Sequence, residues 1–234
     1  MTSDATALRT LLDSGTPLNW VLTGDSITHG MVHTQGGRNY VEHMHALIRG
    51  DLDRVQDAVI NTAIGGWRLD QLLADFDRRV ATWRPHVVTL MIGTNDCVSA
   101  AGAPLIEPAQ FAASVTDFVA RVRELDAIPV LQTPPTIDPR NAPERARIVE
   151  FAQAIRDVAA AQGALLVDQY ARFAEFNHAR QGEVAWGLLN DPFHPGATGH
   201  ALMALALAEA LDLAPAPDRD RVLPVLRAQV NAAR

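Results

Sequence analysis

His86-Val87-Val88-Thr89-Leu90-Met91-Ile92 is β-branched and apolar almost throughout, and it runs into Gly93-Thr94-Asn95-Asp96. A strand with one wet face alternates apolar and polar residues; an unbroken apolar run fits a strand covered on both sides. Working outward, strand-length apolar runs recur at residues 18–23, 57–61, 128–132 and 164–168. Helical patterns separate them. Residues 36–51 put Tyr40, Met44, Leu47 and Ile48 on one face, and residues 69–83 repeat Leu69, Leu72, Leu73, Phe76 and Val80. Residues 108–126 keep Phe111, Val115, Phe118, Val119 and Val122 in phase, and further helices are expected at 144–162, near Arg172 and at 196–211. Strands alternating with helices define an α/β chain with a parallel sheet between helical layers. Residues 97–107 and 133–143 carry the turn formers of long loops.

The chain has 234 residues, of which 48% are hydrophobic and 20% charged, an ordinary globular composition. One domain over residues 1–214 is expected, followed by a tail, 215–234, with a short helix at 225–233. That tail is free to pack on the body or to serve a subunit contact, so a homo-oligomer stays open. The formal charge of −7 gives neither nucleic acid nor an anionic membrane a basic partner surface. The most apolar stretch, 201–213, is too short to span a bilayer and contains Glu209 and Asp212. The first residues lack the basic and apolar regions of a secretory signal, so a cytoplasmic protein is expected. The single cysteine, Cys97, has no disulfide partner within the chain and reads as a buried structural thiol.

Ligands of an open parallel sheet bind beyond the carboxyl ends of its strands. Gly24-Asp25-Ser26, Asn61 to Gly66 and Gly93 to Asp96 each follow a strand there, and Asp191-Pro192-Phe193-His194 precedes the last helix, close enough to swing across the same edge. Together they supply a hydroxyl, small-residue amides, an amide side chain, an imidazole and a carboxylate, the parts for nucleophilic acyl transfer. Ser26 is the expected nucleophile, His194 its general base, and Asp191 the group that orients the imidazole. The oxyanion donors expected are the backbone N–H of Ser26, that of Gly66 and the side chain of Asn95. Each segment alone also has a plain structural reading: a helix cap, a proline-bracketed turn, a glycine turn, an Asx turn. Four such coincidences along one sheet edge are far less plausible than one site. Asp25 reads as structural, His200 as packing, and His29 as an exposed loop histidine. Trp67, Trp186 and Phe193 lie beside the motifs and are candidates to line a substrate pocket, although core packing is the stronger prior for a tryptophan. The eight histidines are scattered, and no metal site is expected among them.

These four blocks, in this order, resemble the SGNH (GDSL-type) hydrolases: Gly24-Asp25-Ser26-Ile27-Thr28, Asn61 to Gly66, Gly93-Thr94-Asn95-Asp96, and Asp191, His194 and Pro195. The short Gly-Asp-Ser motif is weak by itself; the ordered set, from residue 24 to 195, is specific. The resemblance implies a flavodoxin-like three-layer α/β/α sandwich with a central parallel sheet, with no cofactor and no metal. Which of Gly65 and Gly66 donates is left open by the motif. It implies a serine esterase but fixes no substrate; a small-acyl, acetyl-like ester is the expectation, because so short a chain leaves little material for a lipase lid. An acyltransferase or thioesterase working through the same acyl-serine, and a catalytically silent binding module on the same fold, are the competing readings.

Overall fold

The computed structural model describes residues 3–100, 102, 104–179 and 187–233. Five strands form one parallel sheet: β1 (Asn19–Gly24), β2 (Ala58–Asn61), β3 (Val87–Met91), β4 (Ile128–Gln132) and β5 (Leu165–Val167). Their order is β2-β1-β3-β4-β5, the flavodoxin-like arrangement. Sequence order reverses between β1 and β3, so a crevice opens there at the carboxyl edge.

The period-two alternation of strand side chains sorts the core into two layers. Trp20, Leu22, Val87, Met91 and Val130 face one helical layer, whereas Val21, Val88, Leu90 and Leu131 face the other. Against the first face pack α1 (Asp4–Asp13), α3 (Tyr40–Ala46) with the π-helical turn Leu47–Asp51, α8 (Gln169–Ala179), α9 (Ala197–Ala210) and α10 (Val222–Ala232). The second face carries α4 (Leu69–Ala74), α5 (Phe76–Arg79), α6 (Pro108–Glu124) and α7 (Ile148–Gln162). The one-turn helix α2 (Ser26–His29) sits directly on the end of β1. The three-layer α/β/α class expected from the sequence is the observed one.

α9 is buried continuously from Gly199 to Ala208, so it has no solvent face of its own. A helix apolar all round needs cover on every side. α10 supplies the outer cover by burying Leu223, Leu226 and Val230. Its first turn is tied down by Asp51, whose Oδ2 accepts from the N–H groups of Arg221 and Val222 at 2.9 and 2.7 Å. The tail therefore packs on the body.

The single helix expected over 69–83 is a correction. The chain forms α4, α5 and a 3-10 turn at Ala81–Trp83, broken at Asp75 and Val80. Asp75 leaves helical geometry (φ −111°, ψ 21°), and its carboxylate takes Arg78 and Arg79, with Arg78 Nη2 at 2.7 Å and Arg79 Nε at 2.9 Å. A carboxylate is disfavoured at a helix C-terminus and favoured ahead of the next N-terminus, so the break falls where Asp75 can do the second. Leu69, Leu72, Phe76 and Val80 are buried all the same.

Candidate active site

β1 must end tightly against β3. A Cβ on Gly24 would stand 2.0 Å from the carbonyl oxygen of Met91, and its φ of 151° is one that L residues rarely adopt. Asp25 follows in extended geometry and caps α2, with Oδ1 accepting from Ile27 N–H at 3.0 Å. This is the structural role expected of it. Ser26 becomes the first residue of α2, half-buried, with its hydroxyl at the sheet edge.

Asp191 and His194 come from a tight excursion ahead of α9. Asn190 N–H donates to His194 O and Gly196 N–H to Leu188 O, each at 2.8 Å, and Leu189 bridges Pro195. Asp138 N–H holds the tip through Pro192 O at 2.7 Å. Within the turn, Asp191 Oδ1 accepts from the N–H groups of Phe193 and His194 at 3.0 and 2.9 Å. That fixes the carboxylate and leaves Oδ2 2.7 Å from Nδ1 of His194. The other ring nitrogen, Nε2, lies 2.9 Å from Ser26 Oγ. Ser26 and the Asp191–His194 pair, far apart in sequence, thus form one hydrogen-bonded chain.

The loops after β2 and β3 are sewn to this centre and to each other. Asn61 Nδ2 donates to Thr28 O at 2.8 Å, and Ile64 N–H donates to Gly24 O at 3.1 Å. Gly65 passes beside Ser26, and its N–H donates to His29 Nδ1 at 3.3 Å. His29, expected as an exposed loop histidine, is half-buried and braces this loop. Gly66 takes φ +80°, a left-handed conformation that suits glycine. Among the described residues neither the Gly66 N–H nor the Ser26 N–H has a hydrogen-bond partner. Asn95 Nδ2 donates one of its two hydrogens to Trp67 O at 2.9 Å, and Asp96 Oδ1 accepts from Leu69 N–H at 2.9 Å.

Burial sets the electrostatics. His194 lies below the usual imidazole range because burial disfavours its cation, against the pull of Asp191; His33 and Arg145 push it further down. Burial pushes the Asp191 carboxylate up, but the N–H of Phe193, the His194 side chain and the N–H of His194 together hold it below its ordinary value. Asp25 and Asp96, both buried, are raised by desolvation to about 7 and about 6. Burial lifts the Cys97 thiol to about 12, which leaves it inert at neutral pH, as its structural reading requires.

Of the pocket candidates, Trp67 is half-buried, with the guanidinium of Arg79 5.0 Å from its ring centre. Phe193 lies 4.3 Å from the His194 ring and has the guanidinium of Arg145 3.7 Å over its ring centre. Trp186 lies outside the described residues. His200 is buried in α9, and its Nδ1 accepts from Tyr40 N–H at 3.3 Å, a packing contact as expected.

The sequence reading missed His33 and Arg145. His33 stacks on His194, with ring centres 3.5 Å apart and planes inclined by 11°. Its only sequence signal is position, in the loop that follows the α2 turn. Donor atoms of His33, Asp191 and His194 all fall within 4.8 Å of one another. Two parallel rings cannot both direct an in-plane lone pair at one ion, so this arrangement does not suit chelation.

A serine hydroxyl bonded to an imidazole that is anchored by a carboxylate, at the switch point of a parallel sheet, is the constellation of a serine hydrolase. The profile of the GDSL-like lipase/acylhydrolase family matches residues 22–202. The chain belongs to this family and is an SGNH-type serine carboxylic ester hydrolase. It is 26% identical over 198 residues to the acetylxylan esterase of Geobacillus stearothermophilus, covering 78% of this chain and 89% of that one. A solved structure of an acetyl-xylooligosaccharide esterase from the same organism superposes with a TM-score of 0.71 at 24% identity, covering 84% of this chain and 95% of the other. An α/β hydrolase enzyme from the metagenome of Lake Arreo, Spain, gives a TM-score of 0.69 at 26% identity, covering 85% and 98%. Among the described residues no helix is long and apolar enough to cross a membrane.

Proposed function

We propose that the protein hydrolyses small-acyl carboxylic esters, acetyl esters of carbohydrate hydroxyls in particular, through an acyl-enzyme on Ser26. The observation that carries this reading is the unbroken contact chain Ser26 Oγ, His194 Nε2, His194 Nδ1, Asp191 Oδ2, with links of 2.9 and 2.7 Å. Neutral His194 takes the hydroxyl proton as Ser26 Oγ attacks the ester carbonyl. Asp191 keeps the proton on Nδ1, so that Nε2 faces the serine, and stabilises the imidazolium that forms. The tetrahedral oxyanion is received by the Ser26 N–H, the Gly66 N–H and the second Nδ2 hydrogen of Asn95. Among the described residues these donors have no protein partner, whereas Gly65 N–H is engaged by His29; this favours Gly66 over Gly65. The imidazolium then protonates the departing alcohol. Water, deprotonated by the same nitrogen, releases the acid and restores the serine.

The acyl preference draws support from the acetylxylan esterase relative. The test is turnover of p-nitrophenyl esters from acetyl to long-chain, beside acetylated xylooligosaccharides, with Ser26→Ala as control. The expected result is fastest turnover of the acetyl ester, release of acetate from the sugar, and activity abolished by Ser26→Ala in a folded protein. Preference for long acyl chains would overturn the substrate assignment, and activity retained by Ser26→Ala would overturn the nucleophile.

A further inference from the structure

We infer that His33 is a positioning residue of this hydrolase, a second imidazole that clamps the His194–Asp191 pair in its reactive alignment. The inference deepens the proposed mechanism and rests on it.

The first observation is the contact itself. His33 lies flat on His194, and its Nδ1 stands 3.3 Å from Asp191 Oδ2, the same oxygen that His194 Nδ1 engages. His33 thus touches both members of the pair. An imidazole fixed only by a hydrogen bond at Nδ1 can still tip about that bond and swing Nε2 away from the serine. A ring stacked on one face, with Phe193 4.3 Å away and tilted by 42°, removes that freedom. The side chains of His33, Asp191 and His194 are 22%, 31% and 11% exposed, so His33 also shields the base from water.

The second observation is how the loop is built. Val32, immediately before His33, takes φ +57°, a left-handed conformation unfavourable for a β-branched residue. It is 78% exposed, so no burial of its own side chain compensates. The loop is instead held at the site by the residues that follow the strain. Gln35 N–H donates to Val32 O at 3.1 Å, and Gln35 Nε2 donates to Asn190 Oδ1, next to Asp191. Gly37 N–H closes on Thr34 O at 2.9 Å, and Gly37 lies so close to the start of α9 that an added Cβ would stand 2.7 Å from that of Ala197. Backbone strain maintained by surrounding contacts is what a side chain held for function requires.

The charged and titratable groups facing His194 are Asp191 on its own turn, His33 from the loop after α2, His200 from α9, and Arg145, which stacks on Phe193. Removing His33 takes away a group that disfavours the His194 cation and opens the ring to water. Both changes raise the imidazole pKa, so the acid limb of the activity profile moves to higher pH.

The experiment compares His33→Ala, which loses the stack and the nitrogen, with His33→Phe, which keeps a flat ring. Steady-state kinetics on p-nitrophenyl acetate across pH, thermal melts, and the low-field proton resonance of His194 Nδ1–H are read for each. The expected result for His33→Ala is a kcat lowered about tenfold with KM within about twofold, an acid limb moved upward, and a displaced or broadened Nδ1–H signal. His33→Phe should regain most of kcat while keeping part of the shift in the acid limb. A substrate-binding role would instead raise KM and leave both the acid limb and the resonance in place, and that outcome overturns the inference. Losses that follow only a lowered melting temperature, in both variants, overturn it as well. Ser26→Ala run in parallel separates the two layers of argument: residual turnover there refutes the mechanism beneath, whereas an inactive Ser26→Ala beside unaltered His33 variants refutes only the clamp.

Discussion

At Asn95 the difference between holding a fold and stabilising a transition state comes down to two hydrogens. One Nδ2 hydrogen ties the loop after β3 to Trp67 O; the other is the one that, in the proposed mechanism, receives the oxyanion. Removal of a donor that strengthens its bond only as the oxyanion forms lowers kcat far more than it raises KM. Asn95→Ala should therefore reduce kcat by roughly 10²–10³ on p-nitrophenyl acetate with KM little changed. Steady-state kinetics at neutral pH checks this, and a pure KM effect would assign Asn95 to binding. Much of the site is legible at this scale because its parts are local. Asp191 and His194 are three residues apart in a turn whose own amides fix the carboxylate, so their spacing reads as a pair once the other three blocks stand beside it. His33 has no such local signature. Its stacking partner lies far along the chain, and only the convergence of two loops brings the rings together.

Elements that bury two faces leave a clear trace in sequence, and those covered on one side or by a single contact do not. β3 and β4 were readable because every residue in them is buried. α1 was not, since it buries Leu8 and leaves most of its surface to solvent. The broken helix after residue 68 kept the expected buried face but not the expected continuity, because the ion pairs of Asp75 with Arg78 and Arg79 carry no periodic signal. The tail is the converse case: a short pattern became significant once α9 proved to need an outer cover. Leu226, 2% exposed, sits in that cover. Leu226→Ala should destabilise the protein by about 2–5 kcal/mol, read from urea unfolding, through lost transfer free energy and the cavity left beside α9. A change below about 0.5 kcal/mol would show that α10 contributes little to the body.

Across the whole molecule, the ends of β1 and β3 concentrate buried acid groups at the edge that carries the candidate site. Asp25 and Asp96 each leave Oδ2 without a hydrogen-bond partner among the described residues. A carboxyl raised from 3.8 to about 7 binds more protons in the folded state than in the unfolded one between those values. Its contribution to stability therefore declines as pH rises through that window. Asp191 and Asp168, held below their ordinary values, act in the opposite sense at lower pH. Asp25→Asn should accordingly gain stability relative to the parent at pH 8 compared with pH 5, by on the order of 1–2 kcal/mol in urea unfolding. An equal difference at both pH values would mean that Asp25 titrates as an ordinary carboxylate.

The central claim is that the sheet, its three sewn loops and the turn before α9 exist to make one seryl oxygen nucleophilic. The most direct measurement is peptide mapping by mass spectrometry after exposure to a fluorophosphonate, with residual esterase activity followed in the same sample. A single adduct on the peptide containing Ser26, accumulating in step with loss of activity and absent from Ser26→Ala, is the predicted result. Inactivation with Ser26 unmodified, or an adduct at another residue that tracks the loss, would contradict the account.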